Sequence, residues 1–157
     1  MKNVQQEVDE RTNLTSSNNF ELLLFRLGEA PWSNHRELFG INVFKVREIM
    51  VMPQLTAIAN APKNVIGVAN IRGQIISVID LPAVVGCSAK KGLNILLVTE
   101  FARTTQAFAV EEVDEIVRLE WKQVLPAENN AGRGLITSIA RLDGDTENTR
   151  LAQVLDV

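Results

Sequence analysis

The globular pattern begins at Phe20. From Leu22 to Phe25 apolar side chains occupy both alternating faces, as in a strand covered on both sides. Gly28 to Arg36 carries Gly, Pro, Ser and Asn and reads as a loop. A second strand follows, with Phe39, Ile41 and Val43 on one face and Gly40 and Asn42 on the other. Val46-Arg47-Glu48-Ile49 continues it after a bend. Pro53 and Pro62 break the chain, leaving room between them for a short turn or strand at Thr56-Ala57-Ile58-Ala59. Val65 to Leu81 is the most strand-like region. Alternation puts Ile71, Gly73, Ile75, Ser77 and Ile79 on one face and Arg72, Gln74, Ile76, Val78 and Asp80 on the other, with Gly73 marking a bulge or tight turn. Leu81 to Val85 predicts a short helical turn closed by Gly86.

Asn94 to Val98 predicts another buried strand, and Ala107 to Val113 alternates with Phe108 and Val110 together. Val113, Ile116 and Val117 carry that surface towards Leu119. Trp121 to Val124 reads as one helical turn ending near Pro126, and Glu128 to Gly134 as a polar loop. Leu135–Leu142 and Leu151–Leu155 flank Asp143-Gly144-Asp145 and predict a long β-hairpin. Eight to ten short strands without a long helix make an all-β barrel or sandwich. Residues 1–19, rich in Asn, Gln, Glu, Ser and Thr, read as a polar leader before a domain at 20–157. An ending at Val157, against an apolar strand, reads as a cut within a longer protein.

Composition narrows the classes. The 157 residues favour one domain, 46% of them are hydrophobic and 22% charged, and wholesale disorder is excluded. A net charge of −3 argues against nucleic acid as the main partner, which demands a dense basic face. One cysteine, Cys87, suits a reducing compartment, forms no internal disulfide and reads as a small buried residue. Uncharged residues 49–62 are too few and too polar for a membrane helix, which needs ~20 mostly apolar residues.

Catalytic chemistry finds little support. The single histidine, His35, lies in a loop, and a hydrolase would have to assemble it with Ser77 and Asp80 from elsewhere in the chain. No metal-ligand spacing and no phosphate-binding glycine motif is present, and no cofactor is expected. Glu111-Glu112 and Asp114-Glu115 read as a solvated turn in preference to an acidic contact surface. Met50 and Met52, near Pro53, read as core packing in preference to an adaptable contact patch. Trp32, beside Pro31, fits two roles equally, a docking anchor for a peptide-like partner or a pin for its own loop. Arg72 is a lone cation in an apolar region. It either pairs with Asp80 or caps a strand edge, or it reaches out at the Gly73 bend towards a partner carboxylate.

Gly67-Val68-Ala69-Asn70-Ile71-Arg72-Gly73, followed by Val78-Ile79-Asp80-Leu81, resembles the signature of the CheW-like domains of bacterial chemotaxis. Phe20–Leu27, Phe39–Val43, Val46–Ile49, Ala109–Ile116 and Leu151–Val157 resemble further family segments in the same order, so the resemblance covers residues 20–157. Within the family, Ala30–Glu37 and Phe39–Glu48 look most like the CheV group, in which a receiver domain follows. Ser77 departs from the family by replacing a frequent Pro, and Glu111-Glu112 replaces a pair that often includes Asp.

The resemblance implies a fold of two packed five-stranded SH3-like barrels with short helical turns. It implies a non-enzymatic adaptor joining chemoreceptor cytoplasmic tips to the histidine kinase CheA, in cytoplasmic arrays at the inner membrane. A stand-alone CheW-type protein is the alternative within the family. The kinase's own regulatory domain would follow dimerisation and ATP-binding regions, whereas this chain opens on a polar leader. The partner-binding positions that the resemblance implies are Val46, Glu48 and Ile49 in the receptor-facing segment, Gly67 and Arg72 in the signature, and Val113 and Ile116 in the later segment.

Overall fold

A computed structural model of the chain describes residues 19–32, 36–126, 136–142 and 150–155. The leader up to residue 18, His35, the Glu128–Gly134 loop, the Asp143-Gly144-Asp145 turn and Val157 lie outside the described residues. Eleven strands, two 3-10 turns and one short α-helix make up the rest, so the all-β expectation holds.

The strands form two sheets. One has six strands in the order β8-β1-β2-β11-β10-β9, built from β8 (Glu112–Glu120), β1 (Asn19–Glu29), β2 (Arg36–Asn42), β11 (Leu151–Leu155), β10 (Ile136–Arg141) and β9 (Val124–Pro126). The other has five in the order β3-β6-β7-β5-β4, built from β3 (Val46–Val51), β6 (Ile95–Phe101), β7 (Thr104–Val110), β5 (Gln74–Asp80) and β4 (Val65–Ile71). The expected pair of five-stranded barrels is corrected in two respects. One sheet has a sixth strand, and among the described residues neither sheet closes on itself through backbone bonds. By contact, the described residues divide into two compact units, those within 19–25, 38–44 and 114–155 in one and those within 26–32, 36–37 and 45–113 in the other.

The first unit is organised by β1, buried on both faces over Leu22–Phe25 as that unbroken apolar run requires, with Phe20 and Glu21 before it buried as well. Phe20, Leu22 and Leu24 join Leu38, Leu119, Ala140 and Ala152 in one core. On the opposite face Phe25 stacks against Phe39, with ring centroids 6.2 Å apart. The expected hairpin forms, β10 pairing antiparallel with β11, and β11 also runs parallel to β2. The expected turn at Trp121 is a 3-10 turn (Trp121–Gln123), whose Trp121 ring stacks on Phe20 at 4.4 Å. Val46–Ile49 does not extend β2. A 3-10 turn at Val43–Lys45 separates them, and β3 belongs to the five-stranded sheet.

The second unit places Ala69, Ile71, Ile76, Val78, Leu96, Val98, Ala107 and Ala109 in a core that Met50 and Met52 help to cover, as expected of them. Of the bulge and the tight turn expected at Gly73 within residues 65–81, the tight turn is found, and it makes the region a hairpin. β4 and β5 pair antiparallel around Arg72-Gly73, and Ile76 and Val78 point inward on β5 as the alternation required. The helix α1 (Leu81–Val85) starts on Asp80, whose carboxylate accepts the Ala83 N–H at 3.1 Å, and ends on Gly86 in the left-handed region. Cys87 is buried beyond it, and that burial, with the charges of Glu37 and Glu111, pushes its thiol up to about 11.

Glu111 is a further correction. It occupies the bend between β7 and β8 but is only 2% exposed, and Asp114 and Glu115 lie within β8 rather than in a turn. The Glu111 carboxylate accepts the Lys91 N–H at 3.3 Å, while its own N–H donates to the Arg26 carbonyl at 3.1 Å. A run of acidic letters gave no sign of that, because the acceptors and donors come from distant segments.

The β6–β7 hairpin turns through Ala102 and Arg103, both at positive φ, 53° and 67°. A two-residue turn with two positive φ values favours Asn-Gly, and left-handed backbone costs other residues roughly 1–2 kcal/mol each. The double substitution Ala102→Asn/Arg103→Gly should therefore raise stability by about 1 kcal/mol, after the added freedom of the unfolded glycine is subtracted. Thermal unfolding should show an increase of a few degrees, and an unchanged or lower midpoint would refute the turn geometry.

Candidate interaction site

The β4–β5 turn is the most constrained feature near the sequence signature. Arg72 (φ 52°) and Gly73 (φ 85°) take the two positive φ values of a tight hairpin turn. Gly73 supplies that conformation without strain, and its N–H is held by the Asn70 Oδ1 at 3.0 Å. The turn lifts Arg72 to 71% side-chain exposure.

Arg72 does not pair with Asp80. Asp80 caps α1, and the guanidinium goes to Glu48 on β3. Nε donates to Oε2 at 3.1 Å and Nη2 to Oε1 at 2.8 Å, a fork-to-fork pair. The Glu48 side chain is 17% exposed. Its carboxyl is held below the usual carboxylate range, first by the Arg72 hydrogen bonds, against a smaller opposing push from burial. Among the described residues, no other hydrogen bond engages the Arg72 guanidinium, so its Nη1 edge is left to solvent or to a ligand.

Gly67 has a packing reason. On β4 it lies under the segment after Pro53, and a Cβ there would stand 2.7 Å from the Thr56 carbonyl oxygen. That approach lets Thr56 and Val68 exchange two backbone hydrogen bonds of 2.9 Å, covering the outer edge of β4. Thr56 was anticipated as a short turn or strand, but its pairing partner was not.

The seven sequence-picked positions separate. Glu48 and Arg72 are brought into contact, with Val46 and Ile49 beside Glu48 on β3. Val46 is buried at 3% exposure, so it supports the strand rather than offering a surface, and Ile49 is half-buried. Gly67 is buried on β4. Val113 and Ile116 are half-buried on β8, an edge strand of the six-stranded sheet. Among the described residues, the large apolar side chains left exposed on the Arg72 unit are Trp32, Val51, Ile58 and Ile75, the last next to Gln74 on β5. Trp32 is 54% exposed, and its ring lies 3.5 Å from where a Gly86 Cβ would sit. It therefore rests on its own chain and still offers a face. Of the three hydrolase candidates, Asp80 is a helix cap, Ser77 is exposed on β5 and His35 lies outside the described residues.

Sequence reasoning missed Asn70, Arg47, Gln74 and Glu100. Asn70 stands three residues before Gly73, a spacing at which Asn often secures a turn, and was findable. The others carry no local signal.

A CheW-like domain family model matches residues 21–157. The chemotaxis protein CheV3 of Helicobacter pylori is 34% identical over 133 residues, covering 80% of this chain and 43% of that protein. CheV2 of the same bacterium is 26% identical over 167 residues, covering 96% and 51%. The chemotaxis protein CheW of Klebsiella aerogenes is 33% identical over 112 residues, covering 68% and 61%. The chain thus spans about half the length of the CheV proteins it matches. Among solved structures, the scaffolding protein TtCheW from Thermoanaerobacter tengcongensis superposes with a TM-score of 0.73 at 23% identity, covering 88% of this chain and 89% of that one, which establishes a shared fold. No helix among the described residues is long and apolar enough to cross a membrane.

Three outcomes follow from the geometry. Because the folded state lowers the Glu48 pKa, the stability it contributes is complete above the ordinary carboxylate pKa and is lost as pH falls through the lowered value. The stability gap between the wild type and Glu48→Gln should therefore be flat above about pH 6 and close below about pH 4 in denaturant titrations. A gap that widens in acid would contradict the pair. Gly67→Ala should cost about 1–3 kcal/mol by forcing Thr56 away, and should speed amide exchange at Val68. Gly73→Ala, with open space around its Cβ, should cost only about 1 kcal/mol through its φ.

Proposed function

The chain belongs to the CheW-like domain family, and on that premise we propose that it is the adaptor domain of a CheV-type coupling protein. It joins the cytoplasmic tips of chemoreceptors to the histidine kinase CheA through protein–protein contacts. It does so without catalysis and in the cytoplasm, within receptor arrays at the inner membrane. The names of its relatives support the chemotaxis role. The CheV choice rests on the likeness of residues 30–48 to that group and on matches to CheV2 and CheV3, while the match to a CheW protein keeps the stand-alone type as the second reading.

The observation that carries the proposal is the tip at Arg72. A charged donor is raised on a rigid turn, anchored along one edge of its guanidinium and open along the other. Such a group recognises a carboxylate or a helix C-terminal carbonyl on a partner at little ordering cost. Ile75, 63% exposed beside it, adds apolar contact. A single contact of this size need not be tight, because an array joins many of them. On this reading Val46 and Gly67 act by support, Glu48 and Arg72 fix register, and Ile49 supplies apolar contact. Val113 and Ile116, half-buried on β8, supply further apolar contact.

Co-sedimentation with assembled receptor cytoplasmic fragments, with and without CheA, tests the proposal. The chain should pellet only with receptors, and Arg72→Glu should weaken pelleting at least about tenfold, since it puts two carboxylates together and reverses the presented charge. Equal pelleting of the two proteins would remove Arg72 from the interface. Absence of pelleting under conditions where a CheW protein pellets would overturn the adaptor reading for this chain.

A further inference from the structure

Arg47 occupies a β-bulge. Val46 pairs with Thr99 and Glu48 with Val98, so two steps along β3 face a single step along β6. In a regular strand consecutive side chains point to opposite faces, and Arg47 and Glu48 could not both reach one neighbouring hairpin. Here they do. Glu48 holds Arg72 at the turn, and two residues further on Arg47 Nη1 donates to Gln74 Oε1 at 3.1 Å. Arg47 Nε also lies 3.7 Å from Glu100 Oε2 on β6. The Arg47 side chain is 28% exposed against 71% for Arg72, so the first is a covered brace and the second an offered donor.

We propose that Arg47 is a positioning residue for partner binding, bracing the outgoing arm of the β4–β5 hairpin at Gln74 while Glu48 fixes its turn at Arg72. The inference rests on the adaptor reading. A turn tethered at one point pivots about that point. A second tether two residues away removes the pivot before any partner arrives, so less ordering is left to be done on binding. The bulge makes both tethers available from adjacent residues of one strand. Nothing in the letters Arg47-Glu48 predicts this, because a pair of opposite charges on a strand ordinarily serves two different faces.

The test compares the wild type, Arg47→Ala, Arg47→Lys, Gln74→Ala and the double alanine variant by amide hydrogen exchange and by receptor co-sedimentation. In Arg47→Ala and Gln74→Ala the amides of Gly73 to Ile75 should exchange several-fold faster, with Leu96–Val98 and Ala107–Ala109 unchanged. Pelleting should weaken roughly threefold to tenfold in each, and the double variant should be no weaker than the worse single one, as for two ends of one contact. Arg47→Lys keeps the charge without the guanidinium fork and should restore only part of both readouts. Unchanged exchange at the tip, or additive losses in the double variant, would overturn the brace. So would Arg47→Ala pelleting as the wild type does. A wild-type chain that fails to pellet, with a tip still loosened by Arg47→Ala and by Gln74→Ala, would instead defeat the adaptor reading and leave the brace standing as a feature of the hairpin.

Discussion

An open sheet has two edges, and each presents a row of backbone donors and acceptors that must be covered, paired or left to solvent. The five-stranded sheet ends in β3 and β4, and side chains and one short segment deal with the problem there. Thr56 pairs with Val68 along β4, which requires glycine at position 67. Glu48 and Arg47 on β3 reach to the β4–β5 hairpin, linking strands from the two ends of the sheet without a backbone ladder. The residues of the family signature therefore sit where they do because an incomplete ladder has to be finished by other means.

This accounts for the mixture of buried and exposed groups around the site. Gly67 and Val46 are covered, because edge closure and strand packing use them. Arg72 is exposed, because the turn that reverses the chain lifts it out. One arginine thus does two jobs with two edges of the same guanidinium, tying the turn to β3 and leaving donors outward. A lysine could not do both, since its point charge has no fixed fork to divide. Substitutions at Arg72 and Glu48 break the ion pair itself, whereas Gln74 lets the hairpin be loosened without touching it.

The acidic run and the tryptophans teach a related lesson about partners chosen by tertiary structure. Glu111 looked solvated and is buried, because the Lys91 and Arg26 backbone groups come to it from two other segments. Trp121 is half-exposed yet stacked on Phe20, and Trp32 is half-exposed yet laid on Gly86. Large rings at the surface of this chain are first of all attached to the chain itself.

The letters alone determined the all-β class, the doubly covered β1, the helical turn at Leu81 closed by Gly86, the 3-10 turn at Trp121 and the pairing of β10 with β11. Each depends on interactions within a few residues or on a period of two, which a single sequence displays. They also placed the signature around Arg72 and its family likeness. Gly73 marked a bulge or tight turn, and tertiary structure decided between them, folding residues 65–81 back as a hairpin with Arg72 also at positive φ. Tertiary structure alone sent β3 to a different sheet from β2, gave one sheet a sixth strand, and chose Glu48 over Asp80 for Arg72. The bulge at Arg47 belongs with these, because a one-residue slip in register is set by what the partner strand offers. Pairings between positions twenty or more residues apart are bought with loop-closure entropy, and only the assembled sheet shows which of several similar candidates repays it.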